Sequence, residues 1–593
     1  MSIKPEEFYS AQKADYSKSH QQLSRKLIFS STSRLLVFFA ICFAVYFFFG
    51  NAKIMIPLVI ALIAIFIFLI SRHTDLKKER EKIKALIELN EKELKIIRKK
   101  DFSFLPDGKE FDKEHHEFSR DIDLFGKKSF FQYLNRTALS EGKARLARIL
   151  LANRTVDIVQ KQEAVKELAS KATWRQNYTA TANLVKTETS SASILNWIRT
   201  YKNFVPSMAK WFPSLFSLLS IGVILAYYFE AIGASQLLLW FVIGLSITGY
   251  YFKRVNDLSE KVGKAQDTFQ QYHQLLSAIE SENFDSHLMK ELRESIKSES
   301  KKASLILKDF SRAIDALDQR NNFLFGVIAN AFFLWDLRHA YRIERWIEHH
   351  HTAVEHWFDA VERVDAYNSL GNFSFNHPGY TFPEILEEKQ GIEAKDLGHP
   401  LLDAGKRIDN DFKIGSEQFF IITGANMAGK STFLRTVALQ ILMSNIGLPI
   451  CATSCRYSPI KLITSMRTSD SLGDDESYFF SELKRLKYIV DKIQTENYFI
   501  ILDEILKGTN STDKAIGSRK FVQRLVGSSS TGIIATHDLS LCEISEELKQ
   551  VQNFYFDAEI INDELNFDYH LKDGICRNMN ASFLLRKMKI VEE

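Results

Sequence analysis

The sequence predicts a C-terminal α/β domain behind a mostly helical region that carries two membrane-spanning helical hairpins. Three observations point to it. A strand, a glycine-rich loop and a helix follow one another at 418–447. Long stretches before residue 370 place apolar residues at three- and four-residue steps, the period of a helix with one buried face. Four uncharged apolar runs come in two close pairs.

Taking the bulk properties first, 593 residues are more than one core usually organises, so several domains are expected. Lys+Arg (77) nearly cancel Asp+Glu (73), leaving a formal charge of +4, so composition carries no strongly basic nucleic-acid footprint. The cysteines are Cys42, Cys451, Cys455, Cys542 and Cys576. Only Cys451 and Cys455 are close, and a CxxxC pair without a second pair is a poor zinc site. Reduced thiols in a cytosolic compartment are the expectation.

The apolar runs are Leu35 to Gly50, Ile54 to Ile70, Phe212 to Phe229 and Ser235 to Phe252. Each is about 16–18 residues, the low end of what crosses a bilayer. None contains Asp, Glu, Lys or Arg, as a low-dielectric medium requires. Their outer flanks hold Arg25, Lys26, Arg34, Arg72, Lys77, Lys78, Arg80, Lys210, Lys253 and Arg254, whereas the two short links hold Lys53 and Glu230. The positive-inside rule then puts the flanks, and every large soluble segment, in the cytoplasm, with the chain multi-pass in the cytoplasmic (inner) membrane. Burial inside a large soluble helical protein is the competing reading; the pairing and the charge bias favour the membrane.

The soluble helical segments follow the same logic. Leu76 to Lys100 reads as a solvated helix. Residues 121–137 lead into a helix through Gly142, Leu146 and Leu150. Val255, Leu258, Val262, Ala265, Phe269 and Tyr272 form one stripe of a long amphipathic helix. His349, His350, His351 and His356 cluster on a later helix, but no carboxylate or cysteine partner makes them a metal site, and a solvated face is the expectation.

The chemistry lies near the C-terminus. Gly424-Ala425-Asn426-Met427-Ala428-Gly429-Lys430-Ser431 fits G-x-x-x-x-G-K-[ST] without a gap, the P-loop pattern. Gln418 to Thr423 is a buried-strand run before it, and Thr432 to Gly447 is helical after it. Such a loop curls its N–H groups round phosphate oxygens at a helix N-terminus. Lys430 is expected on the β- and γ-phosphates of ATP and Ser431 on Mg²⁺. Tyr498 to Leu502 is an apolar strand ending in Asp503 and Glu504: the first suits Mg²⁺, the second the attacking water. A third strand from Gly532 delivers His537 where a γ-phosphate sensor sits.

Assembled, these residues resemble the ATPase domain of the MutS mismatch-repair family. Asn426 and Met427 within the loop, Asp503-Glu504-Ile505 followed by Gly508-Thr509, and Ala535-Thr536-His537-Asp538 carry the likeness. So do His399-Pro400, Ser469-Asp470 and the helix start at Ser477-Tyr478-Phe479-Phe480-Ser481-Glu482-Leu483. The resemblance implies an ABC-type P-loop ATPase using ATP and Mg²⁺, with residues 424–432 on the nucleotide and Ser477 completing a partner's site in trans, hence a homodimer. It also implies DNA binding and repair. The likeness covers residues 375–593, and more weakly 120–200. The expected division is a cytoplasmic segment 1–33, hairpin 34–72, helical core-like domain 73–210, hairpin 211–252, helical lever region 253–374 and ATPase domain 375–593.

Departures from the family pattern are also present. The run before the trans serine is acidic, Gly473-Asp474-Asp475-Glu476, and Leu506-Lys507 stands where the family has Gly-Arg. The N-terminal mismatch-reading domain is expected to be absent; its Phe-x-Glu wedge recurs only at Phe382-Pro383-Glu384, the wrong place. Two functions are therefore expected: an ATPase that grips duplex or branched DNA near the membrane, or a membrane mechanochemical module that acts on an unknown protein partner without DNA. A transporter is disfavoured, because no charge lies inside the spans.

Overall fold

The computed structural model describes residues 4–185, 187, 189–297, 301–387, 389–425, 427–467, 478–507, 510–561, 564–576 and 590. The N-terminal region is helical throughout. It begins with α1 (Pro5–Phe47) and α2 (Ala52–Lys99), an antiparallel pair turning at Phe48–Asn51. Shorter helices follow: α3 (Phe130–Leu134), α4 (Ser140–Leu151), α5 (Ile158–Ser170), α6 (Ala172–Asn183) and α7 (Ser191–Thr200). Then come α8 (Phe212–Tyr228), α9 (Ala234–Ser281), α10 (His287–Ser295), α11 (Ala303–Asp318), α12 (Phe323–Phe333) and α13 (Trp335–Asn376).

Three of the four expected apolar runs are parts of the long helices α1, α2 and α9, whereas the run from Phe212 is α8 itself. The helices α1, α2 and α9 are long and apolar enough to cross a membrane, whereas α8 has 17 residues and is shorter. The run on α2 is entirely unburied by the rest of the protein. The amphipathic stripe on α9 lies as expected: Val255, Leu258, Val262, Ala265, Phe269 and Tyr272 are all buried, packed on α11 and α13.

Polar side chains bolt α1 and α2 to the end of α13. Tyr9 donates to Asn372 (3.2 Å) and Asn376 (2.8 Å). Glu93 on α2 pairs with Arg136 at 2.5 Å and accepts from Asn372 (3.1 Å) and Asn376 (2.9 Å). Arg175 on α6 reaches Asn372 at 2.8 Å. Next to them, His377 Nδ1 donates to the Phe373 carbonyl, so its Nε2 accepts from Tyr133 at 2.8 Å. Burial lowers the His377 pKa to about 4, in keeping with this neutral tautomer.

After α13 the chain becomes α/β. The strands are β1 (Glu384–Ile385), β2 (Ile392–Leu397), β3 (Asn410–Ile414), β4 (Phe419–Gly424), β5 (Ser454–Tyr457), β6 (Lys461–Ser465), β7 (Tyr498–Asp503), β8 (Thr531–Ala535), β9 (Val551–Phe556), β10 (Glu559–Ile561), β11 (Glu564–Asn566) and β12 (Leu571–Asp573). Four helices are interspersed: α14 (Lys430–Asn445), α15 (Tyr478–Lys492), α16 (Ser511–Val526) and α17 (Ile544–Glu547). The main sheet runs β12-β9-β4-β8-β7-β6, parallel except for the β12 edge. A smaller sheet runs β1-β5-β2-β3. The central strands of the main sheet, such as Phe419 to Ile422 and Phe499 to Leu502, are continuous apolar runs because helices cover both faces.

The helical region closes the β6 edge. The Thr464 N–H donates to the Glu117 carbonyl at 2.9 Å, and Asn153 exchanges two hydrogen bonds with the Leu462 backbone (2.9 and 3.0 Å). An open edge is a pairing hazard, and these contacts remove it. Phe382, the literal wedge match, packs against the core with Lys166 4.5 Å above its ring.

Candidate nucleotide site

The register of the main sheet positions the site. Ala535 on β8 lies opposite Ile422 on one side and Asp503 on the other. The loop after β4, the acidic tip of β7 and the segment after β8 therefore emerge together at the carboxyl ends of parallel strands, where such sheets bind ligands. Two glycines make the loop possible. Gly424 has φ 145°, and a Cβ there would stand 2.5 Å from the Phe556 carbonyl oxygen. Gly429 has φ 104°, and its Cβ would meet the Tyr569 ring at 3.0 Å.

Lys430 opens α14 and is buried. Its Nζ donates to the carbonyls of Gly424 (2.7 Å) and Ala425 (3.0 Å), and desolvation lowers its pKa. Ser431 Oγ donates to Asp503 Oδ2 at 2.8 Å. These are hard oxygen donors of the kind Mg²⁺ takes, so the pair fits that ion. Glu504 has a left-handed backbone, φ 52°, held by its N–H on the Ala535 carbonyl at 2.9 Å. His537 Nε2 lies 2.9 Å from Glu504 Oε1 and 3.4 Å from Lys430 Nζ. That hydrogen bond, helped by Lys507 and Lys430, overcomes desolvation and lowers the Glu504 pKa to about 2. The carboxylate is thus ionised at neutral pH.

A cavity of about 460 Å³ faces these groups. Ala425, Met427, Gly429, Lys430, Ser431 and Thr432 form its floor, and Asp503 and Glu504 one side. Gly424 is buried and Ala428 fully so, and both stand behind the loop, off the cavity wall. Asn426, Ser477, the 473–476 acidic run, Ser469-Asp470 and Gly508-Thr509 lie outside the described residues.

Further residues complete the site. Tyr569, Phe556, Arg407 and Asn410 line the far wall, together with His399, whose pKa burial lowers to about 4. Tyr569 comes from beyond β11 and is tied down where Asn410 donates to its carbonyl at 3.0 Å. No local pattern marks it. The His399-Pro400 dipeptide was the visible sign of this wall. Glu482, buried on α15, accepts from the N–H groups of Leu506 and Lys507 (3.0 Å for the latter), directly after the acidic tip. His349, His351 and His356 are exposed, and no group of three or more His, Cys, Asp or Glu among the described residues could hold a metal.

Comparison with known proteins agrees with this geometry. The family model for MutS domain V matches residues 420–589. The DNA mismatch repair protein MutS of Persephonella marina is 32% identical over 222 residues, 36% of this chain and 25% of the relative. The DNA mismatch repair protein MSH4 of Arabidopsis thaliana is 29% identical over 220 residues, 35% of this chain and 27% of the relative. The DNA mismatch repair protein Msh2 of Dictyostelium discoideum is 29% identical over 241 residues, 38% and 25%. The chain thus spans about a quarter of the length of the curated relatives it matches. The C-terminal domain, in which the glycine loop, the acidic strand tip and the histidine meet at one sheet end, is thus similar to MutS domain V.

Proposed function

We propose that this protein is a membrane-anchored ATPase of MutS type that binds and hydrolyses ATP with Mg²⁺ as a homodimeric switch coupled to DNA. The observation that carries the reading is the convergence of Lys430, Ser431, Asp503 and Glu504 on one cavity, with His537 in contact with both Lys430 and Glu504. Lys430 exchanges its loop carbonyls for the β- and γ-phosphates. Ser431 and Asp503 hold Mg²⁺, which neutralises phosphate charge when bound. Glu504, ionised and fixed by its backbone and by His537, orients the attacking water. His537, within reach of both Lys430 and Glu504, reports the γ-phosphate. Phosphoryl transfer needs positioning and charge neutralisation more than covalent chemistry, and these side chains supply both. Tyr569 and Phe556 offer the apolar wall a base stacks on. Ser477 of each copy completes the other's site. DNA coupling follows from the names of the relatives, all DNA mismatch repair proteins.

A second reading is favoured by a packing path. Lys161 on α5 reaches the Asn445 carbonyl at the end of α14 (3.3 Å), α5 packs on α13, and the α13 end is bolted to the α1–α2 hairpin. Motion of the P-loop helix therefore has a contiguous route to the apolar hairpin, and its output is a membrane or protein partner rather than DNA. Detergent-purified protein is assayed for ATP hydrolysis, with and without duplex and branched DNA over a salt series. Hydrolysis that Glu504→Gln abolishes is expected; equal rates in both proteins sink the ATPase assignment. DNA affinity that falls steeply with salt selects the first reading, and its absence selects the second.

A further inference from the structure

A third apolar element stands beside the second hairpin. From Asn321 to Trp335 the chain carries no charged side chain, and α12 forms within that stretch. Phe323 is 78% exposed, Leu324 71% and Ile328 53%, an apolar face that a water-facing helix does not carry. The other face lies on α9 inside its uncharged run. The Ala331 carbonyl comes so close to Gly244 that a Cβ there would be 1.9 Å away, and the Phe332 ring meets Phe241 at 5.8 Å. Small-residue backbone contact of this kind is how helices pack in lipid. The first turn is capped by Asn322, whose side chain accepts from the Phe325 N–H at 3.3 Å.

Eleven residues rise about 16 Å, roughly half a hydrocarbon core of ~30 Å, so α12 enters one leaflet and does not cross. Both its ends are tied at the base. Arg320 before it pairs with Asp336 after it at 3.1 Å, both buried, and the guanidinium lies 5.3 Å from the Phe252 ring where the apolar run of α9 ends. Around this base stand Lys202, Lys210, Lys253, Arg254, Arg338 and Arg342, all exposed and none ion-paired among the described residues. Ala209, Leu337, Tyr251 and Tyr341, their neighbours in sequence, share one small apolar cluster, which gathers the cations into a collar. Trp211 and Tyr250, exposed beside it, are the residues found at the headgroup level of bilayers.

We propose that α12 is a re-entrant element embedded in the cytoplasmic leaflet beside the second hairpin, and that the collar at its base holds anionic phospholipid headgroups. This rests on the membrane reading of the hairpins. Unpaired cations at the depth of the phosphates suit anionic lipid, and a charge-free face suits acyl chains.

The test uses the full chain with Cys42→Ser, reconstituted in phosphatidylcholine vesicles with roughly one-third phosphatidylglycerol. A bimane fluorophore is placed singly at Leu324→Cys on α12, Leu218→Cys on α8 or Ile516→Cys on α16. Lipids carrying a nitroxide on the acyl chain are expected to quench the first two labels and spare the third. Quenching at 218 without quenching at 324 overturns the proposal and leaves the hairpin reading standing. Quenching at neither overturns both. With the label at 324, nitroxide phosphatidylglycerol is expected to quench at least about twofold more than nitroxide phosphatidylcholine, and Arg338→Gln with Arg342→Gln to erase that difference. Equal quenching by the two lipids in the unsubstituted collar overturns the headgroup assignment.

Discussion

The nucleotide site and the joint at the end of α13 are built from the same materials: buried charges, amides and a histidine. They differ in what the polar groups face. At the joint, Tyr9, Glu93, Arg136, Asn372 and Asn376 satisfy one another, and the adjoining cavity is only about 170 Å³. At the nucleotide site, Lys430 rests on loop carbonyls and Ser431 on Asp503, while an opening of about 460 Å³ lies in front of them. A joint closes its own hydrogen bonds; a binding site keeps an open side and holds its groups on exchangeable partners.

Substitution should separate the two regions. Lys430→Ala is expected to cut ATP turnover by ~10²–10³-fold or more, because it removes a charge that meets the transferring phosphate, while the melting temperature stays near that of the parent. Glu93→Ala should show the reverse: a loss of about 3 kcal/mol in chemical denaturation, since Arg136 loses its ion pair in a largely buried place, with nucleotide binding retained in the folded fraction. A Glu93→Ala protein as stable as the parent would break the comparison. Glu482→Gln sits between the regions. It leaves one backbone N–H facing an amide NH₂ beside the acidic tip, so kcat should fall about tenfold with ATP affinity unchanged. Equal loss of affinity would make Glu482 a binding residue rather than a positioning one.

A separate effect is a slope with pH. Asp365 on α13 is fully buried and accepts from the Ala138 and Leu139 N–H groups, and burial pushes its pKa up to about 7. The folded protein then holds a proton that the unfolded chain, with a pKa near 3.8, releases. Stability from this group is full below the unfolded value and is lost as pH rises towards 7. Thermal melts of Asp365→Asn should flatten that decline, and an identical slope in both proteins would remove Asp365 as its source.

The amount legible in the sequence differed between the regions for a definite reason. The P-loop, Asp503-Glu504 and His537 each sit on a short strand or its tip, so local pattern marked them. The apolar runs were legible because each goes many consecutive residues without a charged side chain. The α12 stretch is also uncharged, but at 11 residues it is too short to read as a span, and it emerges only through its packing on Gly244 and Phe241. Tyr569 carries no pattern at all, and it reaches the site from a segment far along the chain.

What the sequence alone determined is therefore local: which segments are helix or strand, which are apolar throughout, and which loop carries the glycine pattern. Periodicity, side-chain charge and the demands of a positive φ at Gly424 and Gly429 act over a few residues and need no neighbours. What only the tertiary structure decided is assembly. The β4-β8-β7 order brought Lys430, Asp503 and His537 together, and the crossing of α1, α2 and α13 saturated the charges between residues 9 and 376. Partners in such contacts are chosen by packing and desolvation across hundreds of residues, and no short stretch of sequence encodes that choice.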